Sequence, residues 1–349
     1  MSVAFAEFVK ETEKRVAAGK ITQQTRDIYW RSIYAVDSPR AKADSIKLEA
    51  EMGHLTIGEA GRPSFLADYL DDVAEVVPGV ACRHYTVLMG TFKMLTLAGL
   101  FDVSPMAPVP KPERQGGGGQ RALCPEERDL LYELICAKNR RAKYFRMFYL
   151  TMLGTGIRPG EAFALRWDDI LGLDDTTVEN AVVRIGATAV KPMSGGPVFR
   201  QNKRKNGREG GYHITLSRWL TTELREYKCA CAPESGATPV FLSRLGRMVE
   251  PMGADQNLAC AKADSPLEWV TWGNLRDTVA THIAGRTGDK RRASAQLGHS
   301  EGASVTVKHY IDQGGYVRIV VDNAEVLEEL KPAKVGAKLD SGAPAKHSD

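Results

Sequence analysis

Residues 150–170 read LTMLGTGIRPGEAFALRWDDI, and how this stretch is read decides the fold. A long apolar run ends at Gly154 and Gly156, and a guanidinium, Arg158, then stands before Pro159 and Glu161. Proline suits the first helical position, so the spacing predicts a helix over 159–167 with Arg158 at its entrance. A cation there opposes the helix dipole by about 0.3–1 kcal/mol unless an anion lies between them. Phosphate would resolve the conflict, because free helix N–H groups and a guanidinium fork both favour it.

The same oddity recurs at 270–283, VTWGNLRDTVATHI. Asn274 reads as an N-cap with Asp277 three residues on, which places Arg276 in the first turn, beside the apolar stripe Leu275, Val279 and Ile283. Two arginines at two helix entrances could converge on one anion. Two unrelated salt bridges would leave the same trace. Further on, SAQLGHSEGASVTVKHYID (294–312) puts Gly298 as a helix stop, then His299, then a short loop and a helix containing Tyr310.

In this order and spacing, TGIRPGEAFALRW, the arginine of NLRDTVAT, LGHS and VTVKHYI resemble the tyrosine recombinases, particularly phage-type integrases, over about residues 121–313. The resemblance makes Tyr310 a nucleophile on a DNA backbone phosphate, giving a 3′-phosphotyrosyl link and a free 5′-hydroxyl. It makes Arg158 and Arg276 the holders of the non-bridging oxygens. His299 would contact the phosphate, and Glu161 would orient the site. A lysine on a β-hairpin would protonate the leaving oxygen. That hairpin reads as RQNKRKNGREGGYHITL (200–216) with Asn206 and Gly207 at the turn. Lys203 and Lys205 share one face of its first strand and both qualify, Lys203 being preferred. EGGY (209–212) reads as extra hairpin length. Arg200, Arg204, Lys205 and Arg208 are expected on DNA phosphates.

One departure stands out. The family pattern has histidine three residues before the second arginine, whereas this chain has Gly273. A missing charged-group hydrogen bond is worth roughly 1.5–3 kcal/mol, enough to slow the reaction, unless a neighbour such as Trp272 substitutes.

The remaining features set the frame. With 349 residues, two domains are the default. The expected fold is mainly α with a small β-sheet: a helical domain over 1–104, a linker over 105–120, a mixed α/β domain over 121–331 and a disordered tail over 332–349. By the resemblance, these are a core-binding domain and a catalytic domain. Amphipathic helices are expected at 3–18, 21–36, 63–77 and 80–98, the last following Tyr85, Leu88, Met89, Phe92 and Leu95. The linker is marked by four prolines and then four glycines in SPMAPVPKPERQGGGGQRAL (104–123). Short β-like runs fall between 178 and 216, and helices resume from there to about 330.

Six cysteines are scattered without zinc spacing, and no run of about 18 apolar residues occurs. A cytoplasmic, nucleoid-associated protein without metal or cofactor is therefore expected. Net charge is only +4, but basic runs lie at 138–146, 199–208 and 285–292, which favours a phosphate backbone as partner. The implied function is site-specific recombination of double-stranded DNA by a homo-tetramer on two DNA sites, with DNA-bending accessory proteins as further partners. The segment after Tyr310 would pack on a neighbouring subunit or fold back on its own. The alternatives are a DNA-binding protein of the same fold with impaired catalysis, and a single-site topoisomerase.

Overall fold

In the computed structural model the described residues are 1–35, 45–113, 121–138, 144–192, 196–202, 211–298, 307–311 and 317–336. They fall into two compact units, one within Met1–Gly119 and the other from Gln120 onward.

The first unit is helical: α1 (Ser2–Ala17), α2 (Gln23–Ile33), α3 (Leu48–Met52), α4 (Ile57–Ala60), α5 (Pro63–Val76) and α6 (Pro78–Leu97). The four long helices lie within a few residues of their expected positions. Local chemistry sets their starts. The Thr22 hydroxyl accepts from the Thr25 N–H at 3.1 Å, and Thr56 and Glu59 form a reciprocal capping box. Pro63 and Pro78 occupy first turns, where their missing N–H costs nothing. Phe5, Phe8, Ile33, Leu66, Leu88 and Phe92 form the core. Met106 and Val109 belong to the same core, at 1% and 5% exposure, and the Cys82 thiol donates to the Pro112 carbonyl at 3.2 Å. The expected linker is corrected accordingly: its proline half, to at least residue 112, is part of the first unit, and 114–120 lie outside the described residues.

The second unit is built around α8 (Tyr144–Thr155), every residue of which is buried except the half-buried Arg146. Around it lie α7 (Pro125–Lys138), α10 (Arg218–Cys231), α11 (Pro251–Lys262), α12 (Trp272–Thr287) and α13 (Lys290–Gln296). Phe148 carries the centre. It stacks on Phe163 at 4.0 Å and meets Trp272 and Phe241 edge-on at 4.8 and 5.3 Å. Such pairs add about 0.5–1.5 kcal/mol each beyond their burial.

The sheet has five strands in the order β1-β2-β5-β7-β6: β1 (Ile170–Leu171), β2 (Val182–Ile185), β5 (Tyr212–Thr215), β6 (Val307–Ile311) and β7 (Val317–Val321). All pairs are antiparallel except β5 with β7, where His213 and Ile214 face Val320 and Val321. A separate hairpin pairs β3 (Thr188–Val190) with β4 (Phe199–Gln201).

Three expectations are corrected here. Tyr310 lies on strand β6, opposite Arg318 of β7, and not on a helix. The strands flanking the expected 200–216 hairpin do not pair with each other, since β4 pairs with β3 and β5 with β2 and β7, while 203–210, with the expected turn at Asn206 and Gly207, lie outside the described residues. The disordered tail expected over 332–349 is corrected for 332–336, which are ordered, and 337–349 lie outside the described residues. The Ala333 N–H donates to Asp129 Oδ1 at 2.8 Å, Lys334 pairs with Glu133 at 2.5 Å, and Val335 is buried. The segment after Tyr310 folds back on its own unit, with Val320 and Val321 buried in the sheet and Leu327 of α14 (Ala324–Leu327) in the core.

Candidate active site

Arg158 follows the apolar helix α8 through a two-residue turn in which Gly156 adopts φ +69°. A Cβ there would come within 2.9 Å of Val279 and 3.0 Å of Leu297, so both the backbone angle and the close approach require glycine. Helix α9 (Pro159–Phe163) then starts, as expected, at Pro159. It ends four residues early, because Leu165 and Trp167 turn into backbone bonds with Val240 and Thr238.

The conflict between Arg158 and the helix dipole is met by a protein anion. The buried Glu161 carboxylate accepts from the Arg158 backbone N–H at 3.0 Å and from its Nη1 at 3.1 Å. The carboxylate thus caps the helix and holds the guanidinium, whose side chain is 30% exposed.

Arg276 reaches the same place from α12. That helix starts one turn earlier than expected: Thr271 is the N-cap and Asn274 is the third residue, its Oδ1 accepting from the Thr271 N–H and hydroxyl at 2.8 Å. Arg276 donates from Nη1 to the Gly156 carbonyl at 2.7 Å and from Nη2 to the Leu297 carbonyl at 2.8 Å. Burial, and then the neighbouring Arg158, draw its pKa below the ordinary value; Tyr212 and Glu161 act in the opposite direction. Two like charges therefore sit close enough to repel inside a partly dry site, an arrangement that favours an anion.

Three of the sequence-derived residues are thus brought together: Arg158, Glu161 and Arg276. Tyr310 is placed on β6 by its backbone, while His299, Lys203, Arg204, Lys205 and Arg208 lie outside the described residues. Arg200 is placed elsewhere. Its side chain is 13% exposed and donates to the Ala164 carbonyl, to Asn202 and to the buried Asp169 carboxylate, which also binds Arg184. These bonds hold the β4 strand to the core and make Arg200 an internal ion-pair partner in this structure. The basic runs are partly internal as well: Arg146 bonds Tyr132 and Glu223, and Arg292 bonds Asn323.

Trp272 does not stand in for the missing histidine. It is 3% exposed and packed against Phe145 and Phe148. His282 is also engaged elsewhere, with its Nε2 2.9 Å from the Val326 carbonyl. Sequence reasoning missed Tyr212, which neighbours Arg276 closely enough to favour its charged form. The only local signal was its position at the end of EGGY. It also missed Gln296, a polar residue hidden one place before the Leu297-Gly298 helix stop.

A guanidinium pair with an internal carboxylate is the arrangement that the integrase-like motifs imply. The chain matches the phage integrase family over residues 122–314, more than half its length, and belongs to that family of tyrosine recombinases. No curated protein sequence matches it. Among solved structures, the fold resembles lambda integrase (residues 75–356) as a dimer bound to a COC′ core site, with 15% identity, TM-score 0.53, and 88% of this chain and 99% of that one covered. It also resembles the Tn1549 transposon integrase in complex with transposon right-end DNA, at 13% identity and TM-score 0.60 over 86% and 92%. A lambda integrase tetramer bound to a Holliday junction matches at 17% identity and TM-score 0.55 over 88% and 80%. At such identities the likeness concerns the fold alone.

Proposed function

We propose that this protein is a site-specific DNA recombinase of the integrase type, which cuts and rejoins DNA through a 3′-phosphotyrosine intermediate. The observation that carries this reading is the meeting of Arg158 and Arg276, remote in sequence, on one site backed by Glu161. Arg276 is held at two carbonyls before any substrate arrives, and such preorganised donors act where charge builds up in a transition state; losing one typically costs about 3–4 kcal/mol.

In the reaction, the Tyr310 phenolic oxygen attacks phosphorus as its proton leaves. The bond to the 5′-oxygen breaks, and that oxygen takes a proton from Lys203 or Lys205. The phosphodiester energy is kept in the tyrosyl ester, so rejoining runs the same steps backwards. His299 contacts the phosphate. Exchange between two duplexes needs four such sites, and the tetramer of lambda integrase on a Holliday junction is the supporting precedent.

The test is a duplex nicked beside the cleavage point, so that the released end diffuses away. Wild-type protein becomes covalently trapped and Tyr310→Phe does not. Absence of trapping across the DNA flanking the gene would refute the reading. A second reading, DNA binding with impaired catalysis, is favoured by Gly273, because Trp272 is turned into the core. It predicts salt-sensitive binding without a covalent adduct.

A further inference from the structure

Behind the two arginines runs a line of hydrogen bonds that the proposed chemistry does not use. Arg292 Nε donates to Asn323 Oδ1 at 2.9 Å, Asn323 Nδ2 donates to Gln296 Oε1 at 3.0 Å, and Gln296 Nε2 donates to the Thr155 carbonyl at 3.0 Å. Every donor along it points the same way. Gln296 is 0% exposed and Asn323 is 2% exposed, so each amide has left water for a partner it must keep.

The line ends where the site begins. Thr155 precedes Gly156, and Gln296 precedes Leu297. Gly156 and Leu297 are the two residues whose carbonyls hold Arg276. The 155–158 turn and the end of α13 are therefore cross-linked twice, once by Arg276 and once by Gln296. At its other end, Asn323 lies two residues past β7, the strand paired with the one that carries Tyr310.

We propose that Gln296 and Asn323 are positioning residues, a buried amide pair that sets the carbonyl seat of Arg276, and with it the turn leading to Arg158, relative to the chain that follows the Tyr310 strand pair. This rests on the recombinase reading. A purely apolar pair could fill the same space, yet it could not orient the Thr155 carbonyl, and the turn bearing Gly156 would lose one of its two anchors. A displacement of about 1 Å at a reacting centre can cost roughly 100-fold in rate, which is the scale of effect expected.

The experiment compares Gln296→Leu, Asn323→Leu, the double variant and Asn323→Asp with wild type. Each is measured for thermal unfolding, for DNA affinity in a Tyr310→Phe background, and for single-turnover trapping on the nicked duplex. Each single leucine orphans a buried amide and lowers both stability and trapping. The double variant removes both amides and regains stability over the singles. Its trapping stays roughly 10- to 100-fold below wild type with DNA affinity within about threefold, the split expected of a misplaced Arg276 seat. Asn323→Asp keeps the bond with Arg292 but loses the donor to Gln296 and sets two acceptors against each other, so it tests the same link in a variant that retains an acceptor for Arg292; lowered stability and slowed trapping, with DNA affinity within about threefold, are the results expected. Trapping that recovers with stability in the double variant, or stays at the wild-type rate in Asn323→Asp, overturns the inference and leaves the recombinase reading intact. Wild-type protein that traps no DNA sinks both.

Discussion

Gly273→His is the substitution that most directly tests how the site works. Gly273 lies in the first turn of α12 at an ordinary helical φ, and an added Cβ would meet only the Thr271 hydroxyl at 3.4 Å, ordinary van der Waals contact. It stands three residues before Arg276, so the two side chains share one helix face. Leaving glycine in a helix contributes about 0.5–1 kcal/mol, offset in part if the imidazole is charged near the positive helix end. Fold stability should therefore change by less than about 1 kcal/mol. The new N–H donor faces the phosphate side of Arg276 and restores roughly 1.5–3 kcal/mol of transition-state stabilisation, which is about a 10- to 150-fold faster cleavage step. Single-turnover trapping on a nicked duplex measures it, with Gly273→Ala as the control for the backbone. A Gly273→His protein no faster than Gly273→Ala would show that the histidine position does not face the phosphate here, and the placement of the substrate over Arg276 would have to be abandoned.

Other outcomes follow from the same geometry. Glu161→Gln presents an amide donor to one of two Arg158 N–H groups; trapping should fall about tenfold or more, and chemical denaturation should reveal a loss of about 1–3 kcal/mol. Gly156→Ala forces a left-handed alanine against Val279 and Leu297, so the melting temperature should drop by several degrees, from about 1–2 kcal/mol of backbone strain plus the clash. Asp169→Asn leaves Arg184 and Arg200 without their buried carboxylate and should cost about 3 kcal/mol or more in urea titrations, with little dependence on salt. In the first unit, burial, and then Arg83 and Lys47, hold His84 neutral down to a pKa of about 4, while an unfolded histidine takes its proton near 6.5. Between those values the unfolded chain binds more protons, so stability falls as pH drops from about 6.5 to 4, by about 3 kcal/mol at most, and His84→Phe should flatten that slope in pH-dependent unfolding.

The parts of the molecule that the sequence made legible are those decided locally. The four long helices of the first unit announce themselves through a 3.6-residue stripe, and three of them also through a first-turn proline or a threonine N-cap, all short-range signals. Arg158, Glu161 and Arg276 were legible through motif order. What failed depends on partners far along the chain. The start of α12 offers two capping residues, Thr271 and Asn274, each with a suitable residue three places on; the choice falls to Thr271 because the Asn274 amide also bonds the Arg121 carbonyl at 3.0 Å. The run containing Tyr310 becomes a strand because β7 is there to pair with it, and β7 is placed by β5, about a hundred residues upstream. Arg200 looked like a DNA contact because nothing near it in the chain reveals Asp169. Tyr212 and Gln296 carry no motif at all.

The parallel pairing of β5 with β7 has a consequence for how the protein is made. On a ribosome, β5 emerges long before its neighbour exists, and the pocket later filled by Val320 and Leu327 stays open until those residues, about a hundred further on, have been made. Polypeptides cut short before residue 317 would carry an uncovered strand edge and an unfilled interior, targets for quality-control proteases. The strand bearing Tyr310 and the strand that closes the sheet are translated together, so a truncated product would not accumulate as a folded protein.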